Sequence, residues 1–204
     1  LSVKPWPVVL RERPGPGAVV LRPLHRRDRS AWLSLRTANH DWLSPWEATT
    51  PHPQGAVSSF DDYVRQLARA GKAGTCAPFA VTVDEQLVGQ LTVSGIARGS
   101  LQSGTIGYWL ARHSAGRGVM PTAVAMATDH CLGPLGLHRV EINICPENAK
   151  SLRVVEKLGF RDEGVRQRYL HIGGQWRDHR TFALTEEELP AGGLLARWQQ
   201  LRSS

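Results

Sequence analysis

Apolar residues recur along this chain in runs that predict helices and strands in alternation. Phe60, Val64, Leu67 and Ala68 fall on one side of a helix predicted over Phe60–Ala70. Asp28 to Arg36 reads as another helix, with Trp32, Leu33 and Leu35 as its apolar contacts. Val19–Leu24 reads as the first full strand. Pro78–Val83 and Gln86–Val93 read as two more, joined by a tight turn at Asp84-Glu85. A polar connection, Ile96–Ser103, leads into a strand over Thr105–Ala111, a loop from His113 to Gly118, and a helix from about Met120 to Leu132. A strand at Arg139–Ile144, a Pro146-Glu147-Asn148 turn and a helix ending at Gly159-Phe160 follow. Arg161–Ile172 and Gln175–Leu184 form a last antiparallel pair around Gly173-Gly174.

The ends read differently. Residues 1–17 are rich in Pro and Gly and predict a flexible leader, with a short strand at Val8–Arg11. Residues 18–204 then make a single domain. Its tail begins at about residue 185 with Glu186-Glu187-Glu188, and Leu194–Leu201 is a short appended helix. Between the first two helices lies a Trp-rich connection holding Trp42, Leu43, Pro45 and Trp46. It plugs the core, walls a substrate groove, or does both. Pro51, Pro53 and Gly55 mark a mobile loop.

Composition narrows the class. A chain of 204 residues supports one ordinary domain with a substantial core. With 41% hydrophobic and 21% charged residues it reads as a soluble globular protein. No apolar run nears the ~20 residues of a membrane span, and Pro5, Pro7 and Arg11 interrupt any signal-peptide core. Cys76, Cys131 and Cys145 form no close pair, so the expected compartment is reducing and cytoplasmic. No metal site is expected. The net charge of +7 favours anionic partners, but no Lys/Arg block with interleaved aromatics marks a nucleic-acid surface.

The loop from His113 to Gly118 carries the first chemical signal. Gly116 and Gly118 allow backbone angles closed to other residues, and Pro121 suits the first turn of the helix that follows. Such a loop aims free N–H groups and a helix dipole at an anion, although a plain strand-to-helix turn has the same look. It is not a P-loop, which needs Gly-Lys-Ser/Thr. It is not a dinucleotide fingerprint either, whose third Gly is replaced by Pro121.

His113-x-x-Gly116-x-Gly118 resembles the acyl-CoA loop of the GNAT N-acetyltransferases, Q/R-x-x-G-x-G/A, with His for the usual Gln or Arg. Ile106 to Leu110, Leu137 to Glu141, Pro146 to Asn148 with Ser151, Lys157 to Phe160, and Glu163-Gly164 follow in order. That set is similar to the RimJ/RimL branch, the ribosomal-protein N-terminal acetyltransferases, over Ala18 to Leu184. The resemblance implies an α/β fold with a mixed, mostly antiparallel sheet, helices on both faces and two splayed central strands. It implies acetyl-CoA as cosubstrate, bound by Leu110, Ala111, Arg112, Gly116, the N–H groups of Arg117, Gly118, Val119 and Met120, and by Asn148 and Ser151. A strand N–H near Leu110 or Ala111 would polarise the thioester carbonyl. Thr122 stands where many relatives carry Glu.

Asn148 also suits a helix N-cap. Many GNAT proteins place a Tyr general acid seven residues after that Asn. Val155 stands there and cannot donate, and in RimJ/RimL-like sequences Ser151 is the usual substitute. Ser151 also reads as an ordinary first-turn residue. Lys150, Arg153 and Lys157 line one helical face, which reads as a solvated stripe or, for Lys150 or Lys157, as an approach to the CoA end. The general base is open. Some relatives carry Glu where this chain has Asn143. Glu141 shares a strand face with Asn143, and also reads as an ion-pair partner of Arg139. His138, His130 and Asp129 are further candidates. Leu170 offers no carboxylate where some relatives have one.

The expected activity is acetyl-CoA-dependent N-acetylation, with a protein N-terminal α-amine, such as that of a ribosomal protein, as acceptor. Ribosome association and a monomeric or homodimeric state fit that reading. The alternatives are acetylation of a small-molecule amine, or a non-catalytic acyl-CoA-binding or ribosome-associated protein.

Overall fold

The computed structural model describes residues 6–12, 15–52 and 59–203. Pro53 and Gly55 of the predicted mobile loop lie outside the described residues, as do 1–5, 13 and 14 of the leader. Eight strands form one sheet: β1 (Leu10–Arg11), β2 (Val19–Arg22), β3 (Ala77–Val83), β4 (Gln86–Ala97), β5 (Ser103–Leu110), β6 (Arg139–Ile144), β7 (Arg161–Ile172) and β8 (Gln175–Thr185). Their order is β1-β2-β3-β4-β5-β6-β8-β7, and every pair is antiparallel except β5–β6.

The parallel pair positions the site. β5 and β6 pair only at Ser103↔Arg139, Gly104↔Val140 and Thr105↔Glu141. Beyond those rungs β5 stays on β4 as far as Gly89↔Leu110, and β6 stays on β8 as far as Ile144↔Arg180. The two strands therefore part toward their C-terminal ends. A crevice beyond the carboxyl ends of parallel strands is where open α/β sheets bind ligands.

Helices cover both faces. α4 (Val119–Leu132), α5 (Ala149–Leu158) and α6 (Leu194–Ser203) pack with the main core. α1 (Arg29–Ala38) and α3 (Phe60–Lys72) cover a smaller cluster around Leu24, Phe60, Ala80 and Leu87, and a short α2 (His40–Leu43) follows α1. Local chemistry sets the ends of these elements. The Ser59 hydroxyl accepts from the Asp62 N–H to cap α3 (3.1 Å). The two-residue turns need left-handed residues, and Asp84 and Glu85 (φ 47° and 66°) and Gly173 and Gly174 (φ 56° and 85°) provide them.

Three expectations change. β4 does not end at Val93 but continues to Ala97, and β5 starts at Ser103, because Ala97 pairs with Ser103 across an irregular register. The leader is tied down where it is described. Trp6 is buried edge-on against Phe79 with 5.4 Å between ring centroids, and Leu10–Arg11 pairs with β2. Burying an indole gains far more apolar contact than a flexible leader would keep. The appended helix is part of the core. Leu194 and Trp198 of α6 are buried against α4, which explains why α4 is apolar all round rather than on one stripe.

Asp129 on α4 fixes α6. Its two carboxylate oxygens accept from the first N–H groups of that helix, Leu194 (2.7 Å) and Leu195 (3.0 Å). Hydrogen bonds to a charged acceptor at a helix start are worth more than neutral ones. Asp129→Ala is expected to cost about 2 kcal/mol in urea denaturation. Hydrogen exchange should rise first in α6, and an unchanged midpoint would mean that α6 stays docked without its cap.

Candidate active site

The loop before α4 is built on two left-handed glycines, Gly116 (φ 78°) and Gly118 (φ 80°). Gly118 is the N-cap of α4, and its carbonyl accepts from the Thr122 N–H (3.1 Å) and hydroxyl (2.9 Å). The N–H groups that follow, Val119 and Met120, belong to the first turn, where an α-helix leaves its donors unpaired. They face a cleft of about 620 Å³ between the ends of β5, α4 and α5, within the range of cofactor and ligand sites.

β5 supplies one wall. The Ala111 N–H donates to the Val88 carbonyl (2.8 Å), which makes Gly89↔Leu110 a pair whose own N–H and C=O groups point away from each other. The Leu110 N–H therefore turns toward the gap beside β6, and the Leu110 carbonyl accepts from the Trp42 indole (3.0 Å). Alternation gives Tyr108 the same backbone direction.

α5 supplies the other wall. The Asn148 side-chain oxygen accepts from the Ser151 N–H (3.2 Å), so Asn148 caps the helix, and both residues line the cleft. Tyr108 also lines it, with its hydroxyl buried beside Ser151. Burial pushes the Tyr108 phenol up to about 12, so it stays protonated and able to donate at neutral pH. Val155 is fully buried in the core.

The structure thus brings Leu110, Gly116, Gly118, Val119, Met120, Asn148 and Ser151 together around one cleft. Other expected residues lie elsewhere. The Ala111 N–H is taken by Val88, and the Arg112 N–H donates to the Asn39 side chain (2.8 Å), so neither is free to bind a cosubstrate. The exposed Arg117 and Arg112 side chains do not line the cleft. Glu141 is held between Arg139 and Arg166, 2.9 Å from each, outside the cleft, where it serves as the ion-pair partner of both. Asn143 accepts from the Thr181 hydroxyl (2.7 Å), also outside it. Both lie on the β6 face that turns away from the buried Val140, Ile142 and Ile144. His138 pairs with Glu187 (2.9 Å), Asp129 caps α6, and His130 is buried edge-on to Phe79.

Sequence reasoning missed two cleft residues, Glu47 and Tyr108. Tyr108 stood inside the Ile106–Leu110 motif without an assigned part. Glu47 directly follows Trp46, and a lone carboxylate in an aromatic connection was the available signal. The connection itself does both things expected of it: Leu43 is buried, while Trp42 and Trp46 line the cleft.

Lys150, Arg153 and Lys157 make the α5 side of the cleft cationic. The Lys150 ammonium lies 4.0 Å from the centre of the Trp42 ring, and Lys157 lies 5.8 Å from that of Trp198. Among the described residues no group of three or more His, Cys, Asp or Glu side chains is placed to hold a metal ion, and no helix is long and apolar enough to cross a membrane.

Residues 18–161 match the family model of the acetyltransferase (GNAT) domain. The probable N-acetyltransferase YjcK of Bacillus subtilis is 30% identical over 168 residues, covering 81% of this chain and 93% of that protein. The ribosomal protein uS5-alanine N-acetyltransferase of Escherichia coli is 28% identical over 176 residues, covering 85% and 91%. The structure of Mycobacterium smegmatis RimJ in complex with CoA-disulfide superposes with a TM-score of 0.88 at 38% identity, covering 97% of this chain and 96% of that one. With its splayed strands, its glycine loop at a helix start and these relatives, the chain belongs to the GNAT acetyltransferase family and is an N-acetyltransferase of the RimJ/RimL kind.

Proposed function

We infer that this enzyme transfers the acetyl group of acetyl-CoA to the N-terminal α-amine of a protein, with ribosomal proteins as the substrate class. The observation that carries the reading is the β5/β6 gap, which opens directly onto the α4 N-terminus. A thioester arm lying in that gap can bond the Leu110 N–H while its phosphates meet the Val119 and Met120 N–H groups. The relative active on uS5 alanine and the structure with CoA-disulfide support the acceptor and the cosubstrate. Acceptors of that kind support a cytoplasmic enzyme that associates with ribosomes.

The chemistry is direct transfer. The amine nitrogen attacks the thioester carbonyl, whose oxygen gains charge and is stabilised by the Leu110 N–H. Collapse breaks the C–S bond, and the sulfur leaves with the electron pair. Ser151, backed by the buried Tyr108 hydroxyl, donates to it. Holding both substrates in one cleft supplies much of the acceleration.

Release of CoA thiol with peptides beginning in Ala or Ser, followed by mass spectrometry of the peptides, tests the reading. Acetylation confined to small-molecule amines, or none with any amine, overturns it. Within the same assay Ser151→Ala is expected to lower kcat about a hundredfold and to leave acetyl-CoA affinity nearly unchanged. An undiminished kcat would reduce Ser151 to a first-turn residue of α5.

A further inference from the structure

We propose that Glu47 receives the acceptor's ammonium group and takes one of its protons, so that the amine can attack. The assignment rests on the acetyl-transfer reading. Only two carboxylates line the cleft among the described residues, Glu47 and Glu147. The Glu147 side chain is 62% exposed and paired with Arg177 at 3.1 Å, so it faces solvent. The Glu47 side chain is 32% exposed, and its Oε1 is buried in contact with the Arg36 guanidinium. The exposure that remains belongs to the other side of the carboxylate, where an incoming cation can reach it.

The position is fixed from several sides. Glu47 follows the helical turn Ser44–Trp46. The next residue, Ala48, bridges to Ile172 of β7, and the Thr49 N–H donates to the His171 carbonyl (2.8 Å). Arg36 is itself held, its guanidinium carbon 5.6 Å from the Trp32 ring centre and 5.3 Å from that of Trp109. A carboxylate set this firmly needs no reorganisation when charge changes beside it.

The charge pattern of the cleft agrees. Lys150, Arg153 and Lys157 on α5 suit the anionic cosubstrate, whereas Glu47 stands among Trp42, Trp46 and Trp109. A carboxylate within an aromatic wall suits an ammonium, through ion pairing and through the ring faces. Protons and electrons balance across the step. Glu47 takes one proton of the ammonium, which frees the lone pair that forms the C–N bond. The C–S pair leaves with sulfur, Ser151 gives sulfur its proton, and the second N–H proton of the acceptor makes good the one Ser151 has given. Glu47 then returns its proton to solvent.

The test is steady-state acetylation of an Ala-initiated peptide from pH ~6 to ~9.5, near and beyond the α-amine's own range of about 8. Wild type, Glu47→Gln and Glu47→Asp are compared, with acetyl-CoA affinity measured by calorimetry. Glu47→Gln keeps the shape and hydrogen-bonding size of the side chain, and calorimetry reports whether each variant is folded. The expected result is a fall in kcat/KM of about a hundredfold at pH 7 for Glu47→Gln, with acetyl-CoA affinity kept. The deficit should shrink as pH rises, because the acceptor then arrives neutral, and Glu47→Asp should recover part of the rate. A deficit constant across pH, full activity in Glu47→Gln, or a loss confined to acetyl-CoA affinity would overturn the assignment. A wild-type protein that acetylates no amine would instead overturn the acetyl-transfer reading, and this assignment with it.

Discussion

Gly118→Val is expected to lower acetyl-CoA affinity by more than a hundredfold while leaving the protein folded. Gly118 sits at φ 80°, a region that costs an L-residue about 1–2 kcal/mol and a β-branched one more. The added Cβ would also stand 3.3 Å from the guanidinium carbon of Arg202 and 3.5 Å from the Trp198 ring. Arg202 is an exposed, flexible side chain that can give by a few tenths of an ångström, and the Trp198 distance is ordinary contact, so the strain lies in the left-handed backbone angle of residue 118. Trp198 is anchored, its indole donating to the Thr122 hydroxyl at 2.9 Å. Rotation of residue 118 relieves the backbone strain, and it turns the Val119 and Met120 N–H groups out of the cleft. A hydrogen bond to a charged group is worth roughly 1.5–3 kcal/mol. Losing two gives about 3–6 kcal/mol, and each 1.4 kcal/mol is about tenfold in affinity. Arg117→Ala should cost under about tenfold, because that side chain is exposed and outside the cleft. Calorimetry decides between these outcomes. Full affinity in a folded Gly118→Val protein would remove the α4 start from cosubstrate binding.

The sequence disclosed this loop because its signal is local. Two glycines, a proline and a helix pattern lie within a few residues, and chain neighbours determine what they do. Element order was legible for the same reason, down to the Asp84-Glu85 and Gly173-Gly174 turns. The part played by α6 was not, because Trp198 meets Thr122 76 residues away in the chain, and no periodicity in either segment points to the other. Trp6 is a similar case, since a Pro-rich leader gives no sign that one indole will reach Phe79.

The proton acceptor shows the limit most clearly. The period of two correctly put Glu141 and Asn143 on one face of β6. Which face looks into the cleft depends on how β5 splays and on what β7 and β8 bring alongside. Arg166 of β7 and Thr181 of β8 reach these two side chains, and the cleft opens elsewhere. Glu47 comes instead from a connection, whose path is set by the Ala48–Ile172 bridge to a strand far along the chain.

Peptides with a free Ala or Ser N-terminus are expected to be acetylated at least about a hundredfold faster at pH 7 than the same peptides blocked at the N-terminus and carrying one internal Lys. An ammonium has no lone pair, so either acceptor must lose a proton before it attacks. α-Amines titrate near pH ~8 and lysine amines near pH ~10.4, a gap of about 2.4 units or roughly 3 kcal/mol of deprotonation work. At neutral pH roughly a tenth of an α-amine is already free, against well under a thousandth of a lysine. The cleft offers little to close that gap. Its carboxylates, Glu47 and Glu147, are each already paired with an arginine, Arg36 and Arg177. The buried Tyr108 phenol, raised to about 12, is a donor at neutral pH rather than an acceptor. Such a site can hold an ammonium and accept one of its protons ahead of attack, which suffices for an N-terminus but leaves a lysine with most of its penalty. Rates measured on both peptides from pH ~6 to ~9 should show the α-amine rate climbing and then flattening as its own range near ~8 is passed. The lysine rate, in contrast, should still be rising at the upper end. Equal or faster acetylation of the internal lysine at pH 7 would rule out this selectivity.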